Sequence, residues 1–290
     1  MTTSRELHHL FPARRLAAAA ALALACAVVL GQSTRAASNP PGSNGGAGGG
    51  VAMVEGELVF AMPYVVPPFV GGSKVRTPES PDTALAEEVA QALNARLRAV
   101  TSAPTRTSVA GFAPIARITV EYLAPGQSAP ASYVALPTGY VARPMAIMRS
   151  DTDIKTWEQL RGRTVCLSEG GLYTGMVATR YAAVEKIYRA PADSLMALRT
   201  GECDAAVHDD FMLKELLKLP EWKKFSASLP PGDPAASAFL VPRDDVETLA
   251  ALKRLTTKWK SARRLDTLNK ERVRDIAFEV YLDQVVADCH

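Results

Sequence analysis

The sequence has 290 residues, of which 48% are hydrophobic and 22% are charged, and its formal net charge is +3 at neutral pH. The first 36 residues contain four Arg and one Glu, which leaves 29 basic and 29 acidic residues in the rest of the chain. Because this remainder is neutral and has no run of like charges, nothing in it is typical of nucleic-acid binding or of attraction to an anionic membrane surface.

The first 36 residues have the layout of a secretory signal peptide. Two arginines precede an apolar stretch at residues 16–30, and residues 34–36 form a small-x-small cleavage pattern. The apolar stretch is shorter than the roughly 20 residues that a membrane-spanning helix needs. Cys26 lies inside it, but Ala23 stands where a lipoprotein signal usually has Leu. We therefore expect a cleaved signal peptide and a periplasmic protein, in preference to a membrane anchor or a lipoprotein.

Residues 37–53 are rich in Gly, Ser, Pro and Asn and predict a flexible linker, because such a composition cannot bury a core. The folded part then begins near residue 54, and its length suits one large domain or two small lobes.

The remaining His and Cys residues do not form a metal-binding pattern. After residue 36 the chain keeps His208, His290, Cys166, Cys203 and Cys289, with no zinc-ligand spacing. We expect no metal or other cofactor. In an oxidising compartment we expect one disulfide and one buried thiol, with the pairing of the three cysteines left open.

The first predicted elements are a strand at residues 57–66, which stops at two prolines, and a helix that opens at Ser80 and Pro81. Leucine or valine then recurs every four residues from Leu85 to Leu97, which predicts one buried helix face. Residues 99–115 carry little pattern, 117–123 predict a strand, and 125–137 predict a loop.

From residue 140 onward, strands alternate with helices. We predict strands at 142–148, 164–167, 186–188, 204–208 and 237–241, and helices within 151–162 and at 174–184, 192–199, 210–218, 244–262 and 271–286. This alternation is typical of parallel βαβ units, whose ligands lie beyond the carboxyl ends of the strands. Residues 168–171 and Asp209 are therefore expected beside one cleft.

Four stretches, in this order, carry a family resemblance. Tyr64 is followed by Pro67-Pro68-Phe69, residues 153–165 read D-I-K-T-W-E-Q-L-R-G-R-T-V, residues 197–209 read A-L-R-T-G-E-C-D-A-A-V-H-D, and residues 239–245 read F-L-V-P-R-D-D. Together they resemble family 3 of the periplasmic solute-binding proteins, the polar amino-acid type that serves ABC transporters.

The resemblance implies an α/β chain with the two-lobed type 2 periplasmic binding protein fold, in which mixed sheets are flanked by helices. Lobe 1 would comprise residues 54–140 and 237–290, and lobe 2 residues 141–236. The protein would be a monomer that captures a small polar, amino-acid-like solute for an inner-membrane ABC permease.

The resemblance also places the ligand contacts. Asp209 matches the acidic residue that binds a ligand ammonium group, although Asp209 or Asp210 could simply cap the following helix. Tyr64 and Phe69 match aromatic residues that stack on the ligand. With the strand-end argument, the candidate ligand-binding residues are Tyr64, Phe69, Tyr140, Ser168, Glu169, Gly170, Gly171 and Asp209.

The chain departs from the family pattern at the clamp for the ligand carboxylate. No Arg stands about ten residues before Tyr140, and Gly171 replaces a small hydroxyl residue. Arg117, Arg143 or the backbone N–H groups of Gly170 and Gly171 at a helix start are the alternatives. The first lobe also lacks a recognisable helix–strand unit between residues 99 and 133.

Two other functions compete with solute capture. An enzyme of lyase type could use Glu169 and His208 as an acid–base pair in the cleft. Alternatively, an accessory periplasmic protein could keep the fold without transport-type ligand binding, which the missing Arg favours. We expect a receptor and no enzymatic activity.

Overall fold

The computed structural model of the protein describes residues 56–68, 70–102 and 117–284. The predicted signal peptide and linker, Phe69 and Cys289 lie outside the described residues. Within those ranges, no helix has both the length and the apolar composition needed to cross a membrane.

The strands are β1 (Glu57–Met62), β2 (Arg96–Thr101), β3 (Ile118–Leu123), β4 (Tyr133–Ala142), β5 (Pro144–Met148), β6 (Thr164–Ser168), β7 (Val184–Tyr188), β8 (Ala205–Asp209), β9 (Ala227–Ser228) and β10 (Ala235–Pro242). The helices are α1 (Asp82–Ala92), α2 (Met176–Tyr181), α3 (Pro191–Thr200), α4 (Asp210–Leu216), α5 (Val246–Ser261) and α6 (Arg264–Leu282), with 3-10 turns at Trp157–Leu160 and Pro220–Phe225.

The first lobe is built on a five-stranded sheet in the order β2-β1-β3-β10-β4. Strand β1 runs parallel to β2 and β3, whereas β10 runs antiparallel to β3 and β4. The apolar residues of β1 and β10 face helices α1 and α5. Their core is fully buried and includes Phe60, Leu85, Ile118, Phe239 and Leu252.

The second lobe has its own five-stranded sheet, in the order β7-β6-β8-β5-β9. Strand β6 is parallel to β7 and β8, and β5 is antiparallel to β8. Separate apolar clusters cover its two faces, one containing Leu195 and Leu213 and the other containing Leu160 and Val177. Both sheets are therefore mixed, and the parallel units predicted from the alternation form only part of each.

A disulfide joins Cys166 on β6 to Cys203 in the turn before β8, with Cα atoms 5.8 Å apart. The bond ties β6 to the turn that leads into its parallel neighbour β8, and both cysteines are packed in the core of the second lobe. The sequence did not indicate which two of the three cysteines pair, and the structure pairs Cys166 with Cys203.

Helix α6 is longer than predicted and packs against both lobes, with Leu268 buried in the first-lobe core. The sequence predicted that this helix starts near residue 271 and belongs to the first lobe. It begins instead at Arg264, directly after Arg263, whose left-handed conformation separates it from α5. Its residues Val273, Ile276 and Val280 pack into the core of the second lobe, against α3 and α4.

The buried helix face predicted up to Leu97 is wrong at its end. Helix α1 stops at Ala92 because Asn94 takes a positive φ of 52°, which breaks the helical ladder. Leu97 lies instead on β2, an edge strand that the sequence analysis did not predict. Strand β4 likewise begins inside the segment 125–137 that was predicted as a loop.

Candidate functional site

The carboxyl ends of β6 and β8 meet at one edge of the second sheet. Strand β6 ends at Ser168 and strand β8 ends at Asp209, and the two strands are parallel neighbours. Ser168, His208 and Asp209 are all buried there. Ser168 and Asp209 therefore lie at the same edge of the sheet, as the strand-end argument predicted.

A carboxylate from the first lobe occupies the space at these strand ends. Glu79, which precedes α1, is only 3% exposed. Its Oε2 accepts a hydrogen bond from the Ser168 hydroxyl and lies 2.6 Å from Nδ1 of His208. Its Oε1 accepts from the backbone N–H of Asp209 at 3.3 Å. The sequence analysis did not identify Glu79.

The charge state of Glu79 follows from these partners. Burial alone would raise its pKa, but the electrostatic interaction with His208 and hydrogen bonds from His208, Ser168 and Asp209 N–H hold the pKa below its usual value. An ionised carboxylate can only accept hydrogen bonds, so Nδ1 of His208 is the donor in this pair.

His208 does not pair with Glu169, as the enzyme hypothesis required. Its Nε2 lies 2.9 Å from the hydroxyl of Ser194 on α3, and both side chains are fully buried. Glu169 is exposed and lines the edge of the cleft instead. The Ser194–His208–Glu79 series has the connectivity of a hydrolytic triad, but a sealed hydroxyl cannot reach a substrate.

Both oxygens of the Asp209 carboxylate are already engaged. Oδ2 accepts a hydrogen bond from the hydroxyl of Tyr140, and Oδ1 accepts one from the hydroxyl of Tyr173. Burial, followed by the negative charge of Glu79, raises the pKa of Asp209 to about 7, against the opposing effect of the two tyrosines and Arg272. The side chain makes no helix-capping hydrogen bond to α4.

A third buried carboxyl group, Asp82, and a buried cation complete the cluster. Burial raises the pKa of Asp82 to about 6, although its carboxylate accepts a hydrogen bond from Tyr122. Arg272 of α6 donates to the backbone carbonyls of Pro78, at 2.9 Å, and Glu79. The guanidinium thus holds the backbone of the loop that carries Glu79, and its positive charge lowers the pKa of both Asp82 and Asp209.

Tyr64 lies across the cleft on Gly170. A Cβ atom added to Gly170, whose φ is +74°, would clash with the Tyr64 ring. The aromatic ring therefore contacts the backbone of the second lobe, and only glycine fits there. A cavity of about 210 Å³ opens next to this contact and is lined by Tyr64, Arg76, Glu169 and Arg189, among others.

Gly170 and Gly171 do not stand at a helix start, as the backbone alternative for an anion site supposed. Gly170 and Gly171 precede α2 by several residues, because that short helix begins only at Met176. The N–H of Gly171 donates to the backbone carbonyl of Ser168 at 3.1 Å. A Cβ atom added to Gly171 would lie 3.0 Å from the Ser168 carbonyl oxygen, which is closer than ordinary contact, and 3.7 Å from the Glu79 carboxylate.

Neither of the two alternative arginines enters the cluster. Arg117 forms an ion pair with Asp245 at 3.0 Å, and Arg143 is exposed at the crossing between β4 and β5. Among the described residues, no group of three or more His, Cys, Asp or Glu side chains is arranged to hold a metal ion.

One missed residue left a signal in the sequence. Arg272 is spaced by four from Leu268 and Ile276, so it lies on the buried face of α6, where a charge needs a partner. Glu79 left no comparable signal, since nothing in its local pattern distinguishes it from a surface residue before a helix.

Comparisons with known proteins bear on the fold. The sequence matches no protein-family model and no curated protein. The structure is similar to that of the Bacillus subtilis protein YckB, with a TM-score of 0.50 and 17% identity over 80% of this chain and 94% of that one.

Two further similar structures are the substrate-binding protein of an amino-acid ABC transporter and a mutant of ArgBP from T. maritima. The first has a TM-score of 0.47 and 21% identity over 74% of this chain and 98% of that one. The second has a TM-score of 0.48 and 19% identity, over 74% and 94%. At these identities the likeness concerns the fold. The chain has the two-lobed type 2 periplasmic binding protein fold, with two mixed sheets flanked by helices, as the sequence analysis predicted.

Proposed function

We propose that the protein is a periplasmic solute-binding protein that takes a small polar, amino-acid-like solute between its lobes and delivers it to an inner-membrane ABC permease. The observation that supports this proposal is the convergence of polar groups from both lobes on the carboxyl ends of β6 and β8. Tyr64 and Tyr140 come from the first lobe, and Ser168, Gly170 and Asp209 come from the second. In open α/β sheets ligands bind at this edge.

Binding requires that the lobes separate, because Glu79, Tyr140 and Tyr173 occupy the donors and acceptors of the cleft in the closed form. The described chain passes between the lobes at Arg143, in the segment between β9 and β10, and again between α5 and α6, and these crossings would serve as the hinge.

An accessory role is the second candidate, and a specific observation favours it. The cleft is already filled by the chain's own carboxylate, and both oxygens of Asp209 are capped by tyrosine hydroxyls. A protein that stays closed in this way would keep the fold as a rigid partner for another periplasmic protein.

A thermal-shift screen of the purified protein separates the two candidates. Amino acids, polyamines, dicarboxylates and small aromatic acids are tested at equal ionic strength. A solute at 100 times its dissociation constant stabilises the folded state by about 2.7 kcal/mol. The receptor proposal expects one class to raise Tm and Asp209→Ala to abolish the effect, with Asp275→Ala on the exposed face of α6 as the control. No shift across the panel favours the accessory role.

A further inference from the structure

We infer that the strand ends of the second lobe form a carboxylate-binding site and that Glu79 is its internal occupant, which an incoming carboxylate must displace. The site consists of the Ser168 hydroxyl, Nδ1 of His208 and the backbone N–H of Asp209, which all point at one carboxylate. Three converging donors, one of them on a ring that can carry a positive charge, make a strong and specific anion site.

The donors are held in place independently of Glu79. Nε2 of His208 contacts the Ser194 hydroxyl, which fixes the imidazole ring. Ser168 and Asp209 are the last residues of two paired strands, so their backbone positions are set by the sheet. Removing the Glu79 side chain should therefore leave a formed cavity with unpaired donors rather than a collapsed one.

Glu79 reaches this position because the 74–79 segment is attached to the second lobe at several points. Arg76 forms an ion pair with Asp193 of α3 at 2.5 Å. The Thr77 backbone N–H and hydroxyl donate to Glu279 of α6 at 2.9 and 2.7 Å. These contacts, with those of Arg272 described above, raise the local concentration of the Glu79 carboxylate at the site.

The neighbouring Asp209 narrows the chemical class of the ligand. In this closed arrangement Asp209 is 2% exposed and each of its oxygens already accepts a tyrosine hydrogen bond, so an ammonium group would have to displace Tyr140 or Tyr173 to reach it. The free donors after displacement of Glu79 match a carboxylate, so the ligand class is a small carboxylic acid whose recognition does not depend on an amino group. This inference depends on the proposed function in one respect, namely that a solute from outside enters the cleft.

The test uses Glu79→Ala in the full chain, with acetate and propionate as probes and Glu87→Ala, on the exposed side of α1, as the matched control. We expect Glu79→Ala to lower Tm, and saturating acetate or propionate to raise it again by on the order of 3 °C at constant ionic strength. Chloride and methylammonium should not do so. Wild type and Glu87→Ala should not respond to either acid, and Ser168→Ala should abolish the recovery in Glu79→Ala.

The inference is overturned when acetate and propionate do not stabilise Glu79→Ala, or stabilise wild type equally. If Glu79→Ala does not fold, Glu79→Gln replaces it, because the amide keeps the volume but brings an NH2 group against the donors. Wild-type stability of Glu79→Gln would then refute the inference, and a clear loss would support it.

The results of these experiments distinguish a failure of the proposed function from a failure of this inference. Recovery of Glu79→Ala by acetate, combined with no response of wild type to the solute panel, supports the internal carboxylate and the accessory role. A wild-type response to a solute, combined with no recovery of Glu79→Ala, supports solute binding and refutes the internal carboxylate.

Discussion

Replacing Asp209 with Asn should reduce the pH dependence of stability between pH 4 and 7. Burial and the charge of Glu79 raise the pKa of Asp209 from 3.8 to about 7 in the folded protein. The folded state therefore binds a proton that the unfolded state releases above its own pKa, and stability falls as the pH rises through this window. One pKa unit corresponds to about 1.4 kcal/mol, so the loss from Asp209 is at most about 4 kcal/mol.

The assay is urea unfolding of wild type and Asp209→Asn from pH 4 to 7.5, with Asp275→Asn on the exposed face of α6 as the control. Asp82, whose pKa is raised to about 6, also makes both proteins less stable as the pH rises. Glu79 has the opposite effect: because its pKa is lowered, it adds stability as the pH rises toward its ordinary pKa of 4.5, at the acidic end of the titration. The free-energy difference between wild type and Asp209→Asn should shift in favour of the variant by 1 kcal/mol or more, as a rough lower limit, between pH 4 and 7. A constant difference would refute the reasoning, as would the same trend in Asp275→Asn.

Three further predictions follow from the same contacts. Reduction of the Cys166–Cys203 disulfide, which closes a sequence separation of 37 residues, should lower the free energy of unfolding by about 4 kcal/mol in denaturant titrations, and no effect of reductant would contradict it. Gly170→Ala should lower the free energy of unfolding by at least about 2 kcal/mol, because it combines a positive φ with a clash against Tyr64. Tyr64→Ala should relieve part of that loss in the double variant. A wild-type Tm for Gly170→Ala would be inconsistent with the closed cleft. Arg272→Met should lower stability by on the order of 3 kcal/mol, because it removes a buried cation beside buried carboxyl groups, whereas an unchanged unfolding midpoint would show that the cation is dispensable.

The second lobe was the easier part to predict from the sequence. Its strands β6 and β8 are short apolar runs between polar turns, and the helices between them carry clear apolar faces, so local pattern and final structure agree. Asp209 and Ser168 could be placed at one edge because parallel strands end on the same side of a sheet.

Strand β2 was missed for a local reason. The spacing of four that starts at Leu85 continues as far as Leu97, so periodicity alone extends the helix past its true end. The positive φ of Asn94 ends it, and Arg96 and Arg98 then alternate with half-buried residues on the edge strand. A single residue in the left-handed conformation thus changed the type of the following element.

The groups that fill the cleft are brought together by tertiary contacts, which local sequence patterns do not predict. Glu79 and Ser168 are 89 residues apart in the sequence, and Glu79 and His208 are 129 apart. Spacing rules relate residues within one helix or strand, so they could identify the second-lobe half of the site but not the first-lobe carboxylate that fills it. The same limit applies to Tyr173, whose hydroxyl reaches Asp209 from the loop before α2.

The most direct test of the internal carboxylate is nitrogen-edited proton NMR of the His208 imidazole in the purified protein without added solute, assigned with His208→Gln. Because the ring lies fully buried with Nδ1 2.6 Å from the ionised Glu79 carboxylate, we predict a proton on Nδ1 that exchanges slowly with water, and its loss in Glu79→Ala. An Nδ1 proton in fast exchange in wild type, or a slow one that Glu79→Ala leaves unchanged, would contradict the account.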